Sequence, residues 1–195
     1  TAAFAADASL ASPTGDVYEV EFRFRADTLA VGVPGDPEGT YTDKLAYFME
    51  KELFSKIDYY IDVHNGDWFE DLSPFIYCVG NGAQETTDRS VMMAKAADVP
   101  YYVISKSKQG GAYNYAGILG IPSVLLERGC AGLWSPEEVM ASQKDVRNIL
   151  RTIGAFDSER FLNDRQSQVP RHMVYAHYID APVTGCWFPQ KRAGQ

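Results

Sequence analysis

The residues best suited to chemistry lie at the end of an apolar stretch, in the segment DVHNGD at 62–67. An imidazole can ligate a metal ion or carry a proton near neutral pH, and a neighbouring carboxylate can fix its tautomer. Asp62 and Asp67 are the carboxylates near His64 in the sequence. By spacing alone, a histidine at a strand end is more often a hydrogen-bonded or surface residue than a metal ligand. The segment therefore defines a candidate site and leaves its role open.

A second reactive pair follows another apolar stretch, where Glu127 and Arg128 precede a glycine in the segment LLERG at 125–129. A carboxylate beside a metal-bound water can act as the general base of a hydrolase, because the metal lowers the pKa of the water to about 7. A structural ion pair of Glu127 with a nearby cation is an alternative interpretation. The other two histidines, His172 and His177, lie in a weakly patterned tail and are expected to be structural or exposed.

Short apolar strands and amphipathic helices alternate along the chain and would position these residues. Apolar runs predict strands at 57–63, 74–80, 101–105 and 122–127, and an alternating pattern predicts a half-exposed strand at 17–24. Helical periodicity, with caps such as Ser135-Pro136, predicts helices at 41–55, 85–98, 112–120 and 136–153. This alternation predicts an α/β fold with a mixed, largely parallel sheet. Ligands bind such sheets beyond the carboxyl ends of the strands.

The composition is that of a globular protein, with 195 residues of which 46% are hydrophobic and 23% charged. A net charge of −8 without a Lys/Arg cluster disfavours a nucleic-acid partner. Three widely spaced cysteines, Cys78, Cys130 and Cys186, fit neither a disulfide framework nor a cysteine zinc site. There is neither a signal-peptide pattern nor a long apolar run. We therefore expect a cytoplasmic protein with a small-molecule partner and no membrane partner, for which a homo-oligomer is possible.

Four sequence blocks occur in the order and spacing of a known family. They are GVPGDPEGTYTDKLAYFMEKEL, IDYYIDVHNGDWFEDLSPFIY, AGILGIPSVLLERG and SPEEVMASQKDVRNILRTIGAF. From about Val33 to Phe156 the chain resembles the succinylglutamate desuccinylase/aspartoacylase family, which are zinc hydrolases related to the M14 metallocarboxypeptidases. The resemblance implies a three-layer α/β/α sandwich within residues 1–156, followed at 157–195 by a linker and the beginning of a truncated β domain. It also implies hydrolysis of an amide, typically of an N-acyl amino acid or a related carboxylate.

The resemblance also assigns roles to individual residues. His64 would be the third ligand of one zinc ion. Glu127 would be the general base that activates the zinc-bound water. Asp62 and Asp67 would orient the site. Asn65, Arg128 and Tyr113 would contact the substrate.

Two elements of the family pattern are absent from this sequence. The first two zinc ligands of the family come from an upstream His-x-x-Glu block, and here no histidine precedes His64. The Asn-Arg pair that grips the substrate carboxylate is replaced by the segment TLAVGVPGD at 28–36. Two alternatives to an active enzyme therefore stay open. One is an inactive or truncated member that serves as a small-molecule or protein binding scaffold. The other is an α/β binding module whose acidic loops hold Ca²⁺ weakly through oxygen ligands.

Overall fold

The computed structural model describes residues 35–67, 70–108, 111–155, 166–176, 179, 182–183 and 191–193, and the backbone pairing of residues 10–11 with 17–18. The chain forms two compact units, Thr1–Ala30 and Val31–Gln195. In the first unit, strand β1 (Leu10–Ala11) pairs antiparallel with β2 (Val17–Tyr18). The rest of the strand predicted at 17–24 lies outside the described residues. No helix among the described residues is long and apolar enough to span a bilayer.

A five-stranded mixed sheet forms the centre of the second unit. Its strands, in the spatial order β3-β6-β4-β5-β7, are β3 (Tyr60–Asn65), β6 (Ser123–Arg128), β4 (Phe75–Val79), β5 (Tyr101–Ser105) and β7 (Arg171–His172). Strand β6 runs parallel to β3 and antiparallel to β4, while β4, β5 and β7 are mutually parallel. The predicted mixed, largely parallel sheet is therefore confirmed.

Helices cover both faces of this sheet. On one face lie α2 (Gln84–Ala96) and α4 (Pro136–Thr152), and on the other lies α3 (Ala112–Ile118). Helix α1 (Tyr41–Phe48) precedes the turns whose Met49 and Phe54 pack with α3. The α2/α4 face holds the larger apolar core, which includes Ile76, Val124, Leu126, Met93 and Ile149, each fully buried. Apolar burial of this kind drives folding. The three-layer α/β/α sandwich expected from the sequence is thus the observed fold.

The first helix of this unit shows why the predicted segment 41–55 is not one regular helix. Thr40 and Asp43 form a capping box, in which the Thr40 N–H donates to Asp43 Oδ2 at 2.8 Å. After Phe48 the chain continues as a π-helical turn at Met49–Leu53 and a 3₁₀ turn at Phe54–Lys56. These turns bring Phe54 into an edge-to-face contact with Tyr60 at 5.5 Å. Packing against β3 therefore decides how the helix ends.

The C-terminal tail contributes a strand to the main sheet. The sequence places the tail in a separate β unit from residue 157 onward, whereas Arg171 and His172 pair in parallel with Tyr101 and Tyr102 of β5. The His172 ring stacks on Tyr102 with 4.8 Å between ring centroids. Most of the tail lies outside the described residues, so the division after residue 156 stays a prediction.

Candidate active site

His64 and Glu127 meet at the carboxyl ends of two neighbouring parallel strands. They are register partners in the β3–β6 ladder, so their side chains project from the same face of the sheet. His64 Nδ1 lies 3.7 Å from Glu127 Oε1. The two residues that the sequence selected as metal ligand and general base are therefore in direct contact.

The other nitrogen of His64 faces a second carboxylate on the same strand. His64 Nε2 lies 3.3 Å from Asp62 Oδ1. The Tyr60 hydroxyl, two residues before Asp62, hydrogen-bonds to Asp62. The pKa of Tyr60 is strongly raised, mainly by burial and to a smaller extent by the charge of Asp62. Residues 60, 62 and 64 share one face because side chains in a strand alternate. Tyr60 was not predicted as a site residue, and this spacing of two was the signal that could have identified it.

Both side chains of the His64–Glu127 pair have shifted pKa values. The pKa of His64 is raised mainly by its hydrogen bond to Asp62, against the opposing effect of burial, and the charges of Asp62, Glu127 and Asp67 add to the shift. The pKa of Glu127 is raised mainly by burial, which the positive charge of His64 partly offsets. The His64 side chain is still 49% exposed, against 17% for Glu127. A half-exposed imidazole over a mostly buried carboxylate leaves one open side for a small molecule.

Two more carboxylates, those of Asp67 and Glu70, lie near this pair. The Asp67 N–H donates to Glu70 Oε2 at 2.9 Å, and the Glu70 N–H donates to the Asp67 carbonyl oxygen at 2.8 Å. The negative charges of both residues raise the pKa of Glu127. Asp67 was predicted to orient the site and Glu70 was not. The position of Glu70 three residues after Asp67 was the available signal.

The structure does not bring Asn65 and Arg128 to the imidazole. Both residues follow a site residue by one position in a strand, so their side chains lie on the opposite face. Asn65 Nδ2 donates to the Leu133 carbonyl oxygen at 2.7 Å, which fastens the loop after β6. Arg128 Nε donates to Asp145 Oδ2 of α4 at 2.6 Å. Both side chains therefore hydrogen-bond to other groups of the protein.

Tyr113 lies on the same face as Glu127 and is buried beneath the site. Its side chain is stacked on Tyr77 with 5.9 Å between ring centroids, and only 7% of the residue is exposed. Burial raises the pKa of Tyr113, and the charge of Glu127 adds to this effect. Tyr113 is therefore a buried core residue close enough to Glu127 to sense its charge.

The described residues supply only part of a zinc site. A catalytic zinc ion is normally held by three protein ligands with one open position. Among the residues that the structure describes, no group of three His, Cys, Asp or Glu side chains is placed to hold a metal ion. His172 lies on β7, separated from β3 by three strands. His64 with its neighbour Asp62 supplies the chemistry of one ligand and its orienting partner, so the described residues do not complete a zinc site by themselves.

Comparisons with known proteins bear on the identity of this site. The N-alpha-acetyl-L-2,4-diaminobutyric acid deacetylase of Halomonas elongata is 26% identical over 163 residues, which are 83% of this chain and 45% of that protein. The product-bound structure of the ectoine utilization protein EutE (DoeB) from Ruegeria pomeroyi has a TM-score of 0.64 at 26% identity, covering 75% of this chain and 44% of its own. The chain therefore spans about half the length of these relatives.

A third comparison concerns the fold alone. The crystal structure of a succinylglutamate desuccinylase/aspartoacylase from Rhodobacter sphaeroides has a TM-score of 0.68 at 24% identity, covering 86% of this chain and 51% of its own.

The family model described as the succinylglutamate desuccinylase/aspartoacylase catalytic domain matches residues 33–153, the segment that contains β3, β6 and α4. The chain belongs to the succinylglutamate desuccinylase/aspartoacylase family.

Proposed function

We propose that this chain carries the catalytic core of a deacylase that hydrolyses the amide bond of an N-acyl amino acid. The observation that carries the proposal is the 3.7 Å approach of His64 Nδ1 to Glu127 Oε1 at paired strand ends. Support also comes from the relatives, one of which is named as a deacetylase of an acetylated diamino acid.

Glu127 is suited to the proton transfers of such a reaction. Its mostly buried carboxylate has a raised pKa, and a general base works best when its pKa approaches the working pH. In the proposed reaction, Glu127 takes a proton from the attacking water as the water oxygen bonds to the amide carbon. The same carboxyl group then returns the proton to the amine nitrogen as the carbon–nitrogen bond breaks. The products are a carboxylic acid and a free amino acid.

Asp62 fixes the orientation of the His64 ring beside the Glu127 carboxylate. Asp62 holds Nε2 of the ring, which turns the Nδ1 edge toward Glu127. Zinc remains part of the proposal as one ion with His64 among its ligands. The other ligands are not found among the described residues, and no step is assigned to the metal.

The test combines a substrate panel with a matched pair of substitutions. The full chain is incubated with zinc and with N-acetyl-2,4-diaminobutyrate, N-succinylglutamate and N-acetylaspartate, and release of the free amine is measured. Glu127→Gln keeps the side-chain shape and removes the base, so we expect kcat to fall by about 10²- to 10⁴-fold. Glu85→Gln is the control, because the Glu85 side chain is 78% exposed on α2.

Two further outcomes separate the proposal from the scaffold alternative. Turnover that is equal in Glu127→Gln and the unchanged protein would rule out Glu127 as the base. A folded protein without turnover on the panel, which still binds the free amino acids in calorimetry, would support a catalytically inactive binding scaffold. Metal content before and after chelation, measured by mass spectrometry, tests the zinc part separately.

A further inference from the structure

Arg128 is held in place from two directions on the face of the sheet opposite to the candidate site. Its Nε donates to Asp145 Oδ2 at 2.6 Å, and its Nη2 donates to the Asp98 carbonyl oxygen at 3.1 Å. Asp145 is fully buried and also accepts the Asp98 N–H at 2.6 Å. A planar guanidinium with two such partners has little freedom to rotate. The side chain of Arg128 is therefore fixed relative to α4 and to the loop before β5.

The end of β6 needs such an anchor. Glu127 is the last residue of β6 that pairs with both neighbouring strands, opposite His64 of β3 and Phe75 of β4. Arg128 pairs only with β3, and Gly129 then leaves the strand with a φ of 80°. Strand ends with fewer backbone partners open more readily than strand centres. The ion pair with α4 adds a side-chain connection at Arg128, where the backbone pairing with β4 has ended.

Fixing Arg128 also fixes the direction of Glu127. The two residues are consecutive in an extended strand, so their side chains project to opposite faces from one peptide unit. A rotation that moved the Glu127 carboxylate away from His64 would have to move the Arg128 guanidinium against Asp145. Stability alone is a weak reason for this arrangement, since a buried ion pair often contributes no more than an apolar pair of similar volume.

We propose that the Arg128–Asp145 ion pair is a positioning device that holds the Glu127 carboxylate against His64. This proposal rests on the proposed function for its catalytic consequence. Arg128 and Asp145 act through Glu127 and are not catalytic residues. Loss of the pair shifts the carboxylate, and misplacement of a catalytic group by about 1 Å can reduce the rate by about 10²-fold.

The test compares substitutions in the ion pair between β6 and α4 with a substitution in the neighbouring ion pair of α4. The double substitution Arg128→Met with Asp145→Leu replaces the pair by apolar side chains. Arg128→Lys keeps the charge but lacks the planar guanidinium that bonds to Asp145 and to the Asp98 carbonyl oxygen together. Lys144→Met is the matched control. It removes the adjacent ion pair with Asp98, whose atoms lie 2.5 Å apart, and leaves the Asp145 carboxylate and the Asp98 carbonyl oxygen in place as the two partners of Arg128.

The first readout needs no enzymatic activity. The ring ¹⁵N and ¹H resonances of His64 in the full chain report on its neighbour Glu127, and Glu127→Gln provides the reference for a lost contact. We expect the double variant to move these resonances toward the Glu127→Gln positions, Arg128→Lys to move them part of the way, and Lys144→Met to leave them unchanged. Unchanged resonances in a folded double variant would overturn the proposal, and so would an equal shift in Lys144→Met.

The second readout uses any substrate that the unchanged chain hydrolyses. We expect kcat to fall by about 10- to 100-fold in the double variant with KM nearly constant, because the substrate still binds while the base is displaced. Arg128→Lys should recover part of this loss. A loss in KM alone would overturn the positioning role. If the unchanged chain hydrolyses nothing, the proposed function fails, and the resonances of His64 still decide the positioning proposal.

Discussion

His64 Nδ1 and Glu127 Oε1 lie 3.7 Å apart although 63 positions of sequence, from 64 to 127, separate the two residues. The contact arises because β3 and β6 are parallel neighbours in register, which places two strand ends side by side. Asp62 on the other side of the ring completes a row of carboxylate, imidazole and carboxylate. This row is the feature of the fold from which the following predictions are made.

Replacement of Asp62 by Asn should lower the pKa of His64. The hydrogen bond to Asp62 is the largest cause of the raised pKa, whereas Asp67 acts only through its more distant charge. NMR titration of the His64 ring should therefore show a larger decrease in Asp62→Asn than in the control Asp67→Asn. Equal decreases in the two variants would contradict the assignment of the hydrogen bond as the main cause.

The raised pKa of His64 also predicts that the stability of the protein depends on pH. Native His64 binds its proton more tightly than an unfolded histidine with a pKa of 6.5. The resulting contribution is fully present below pH 6.5 and is lost as the pH rises through the raised native pKa. Urea unfolding across this range should show a smaller decrease in the free energy of unfolding for Asp62→Asn than for the unchanged protein.

Gly129→Ala should destabilise the protein more than Gly154→Ala. Both glycines have positive φ, 80° and 76°, a conformation that costs an L-residue about 1–2 kcal/mol. A Cβ at Gly154 would meet nothing within 4 Å, whereas one at Gly129 would lie 2.5 Å from Asn65 Oδ1. Chemical denaturation of the two variants measures the difference directly. If both substitutions lower the free energy of unfolding equally, the Asn65 side chain moves away from the new Cβ without cost.

Asp98 should contribute to stability above pH 4 and lose this contribution in acid. Burial alone would raise its pKa, but hydrogen bonds from Lys144, Ser167 and Gln168 outweigh burial and lower the pKa below 3.8. A carboxylate with a lowered native pKa stabilises the fold above its unfolded pKa, and the effect disappears as the pH falls through the native value.

Asp98→Asn is the corresponding substitution, with Asp88→Asn on the exposed surface of α2 as its control. Asp98 Oδ1 accepts the backbone N–H groups of Ser167 and Gln168, each at 3.0 Å, so its loss should also loosen the segment before β7. Hydrogen exchange of residues 166–173 should accelerate in Asp98→Asn and stay unchanged in Asp88→Asn. Unfolding curves at neutral and acid pH should converge for the unchanged protein and Asp98→Asn as the pH falls.

Local sequence pattern predicted most elements of the main sheet and its helices to within three residues. Apolar runs ended by polar or glycine residues located β3, β4, β5 and β6, because strand burial requires continuous apolar side chains. Ser135 and Pro136 located the start of α4, because capping is a property of adjacent residues. The π-helical turn at Met49–Leu53 was not predicted, since it depends on packing against β3.

The sequence selected candidate site residues from their position along single strands. His64 and Glu127 were selected because each ends an apolar strand, and the structure brings them together. Arg128 was selected for the same reason, yet alternation places its side chain on the other face, where Asp145 binds it. Asp145 itself has a sequence signal, because it falls four residues before the buried Ile149 on the inner face of α4.

Local sequence pattern identified most of the residues that form strands and helices and the reactive groups that end the strands. These are consequences of local hydrogen bonding, capping and the periodicity of apolar residues. The order of the strands is a property of the folded chain, in which β3 and β6 are parallel neighbours in register and the tail adds β7 beyond β5. Strand order depends on packing between distant segments, so the contact of His64 with Glu127 and the ion pair of Arg128 with Asp145 appear only in the folded chain.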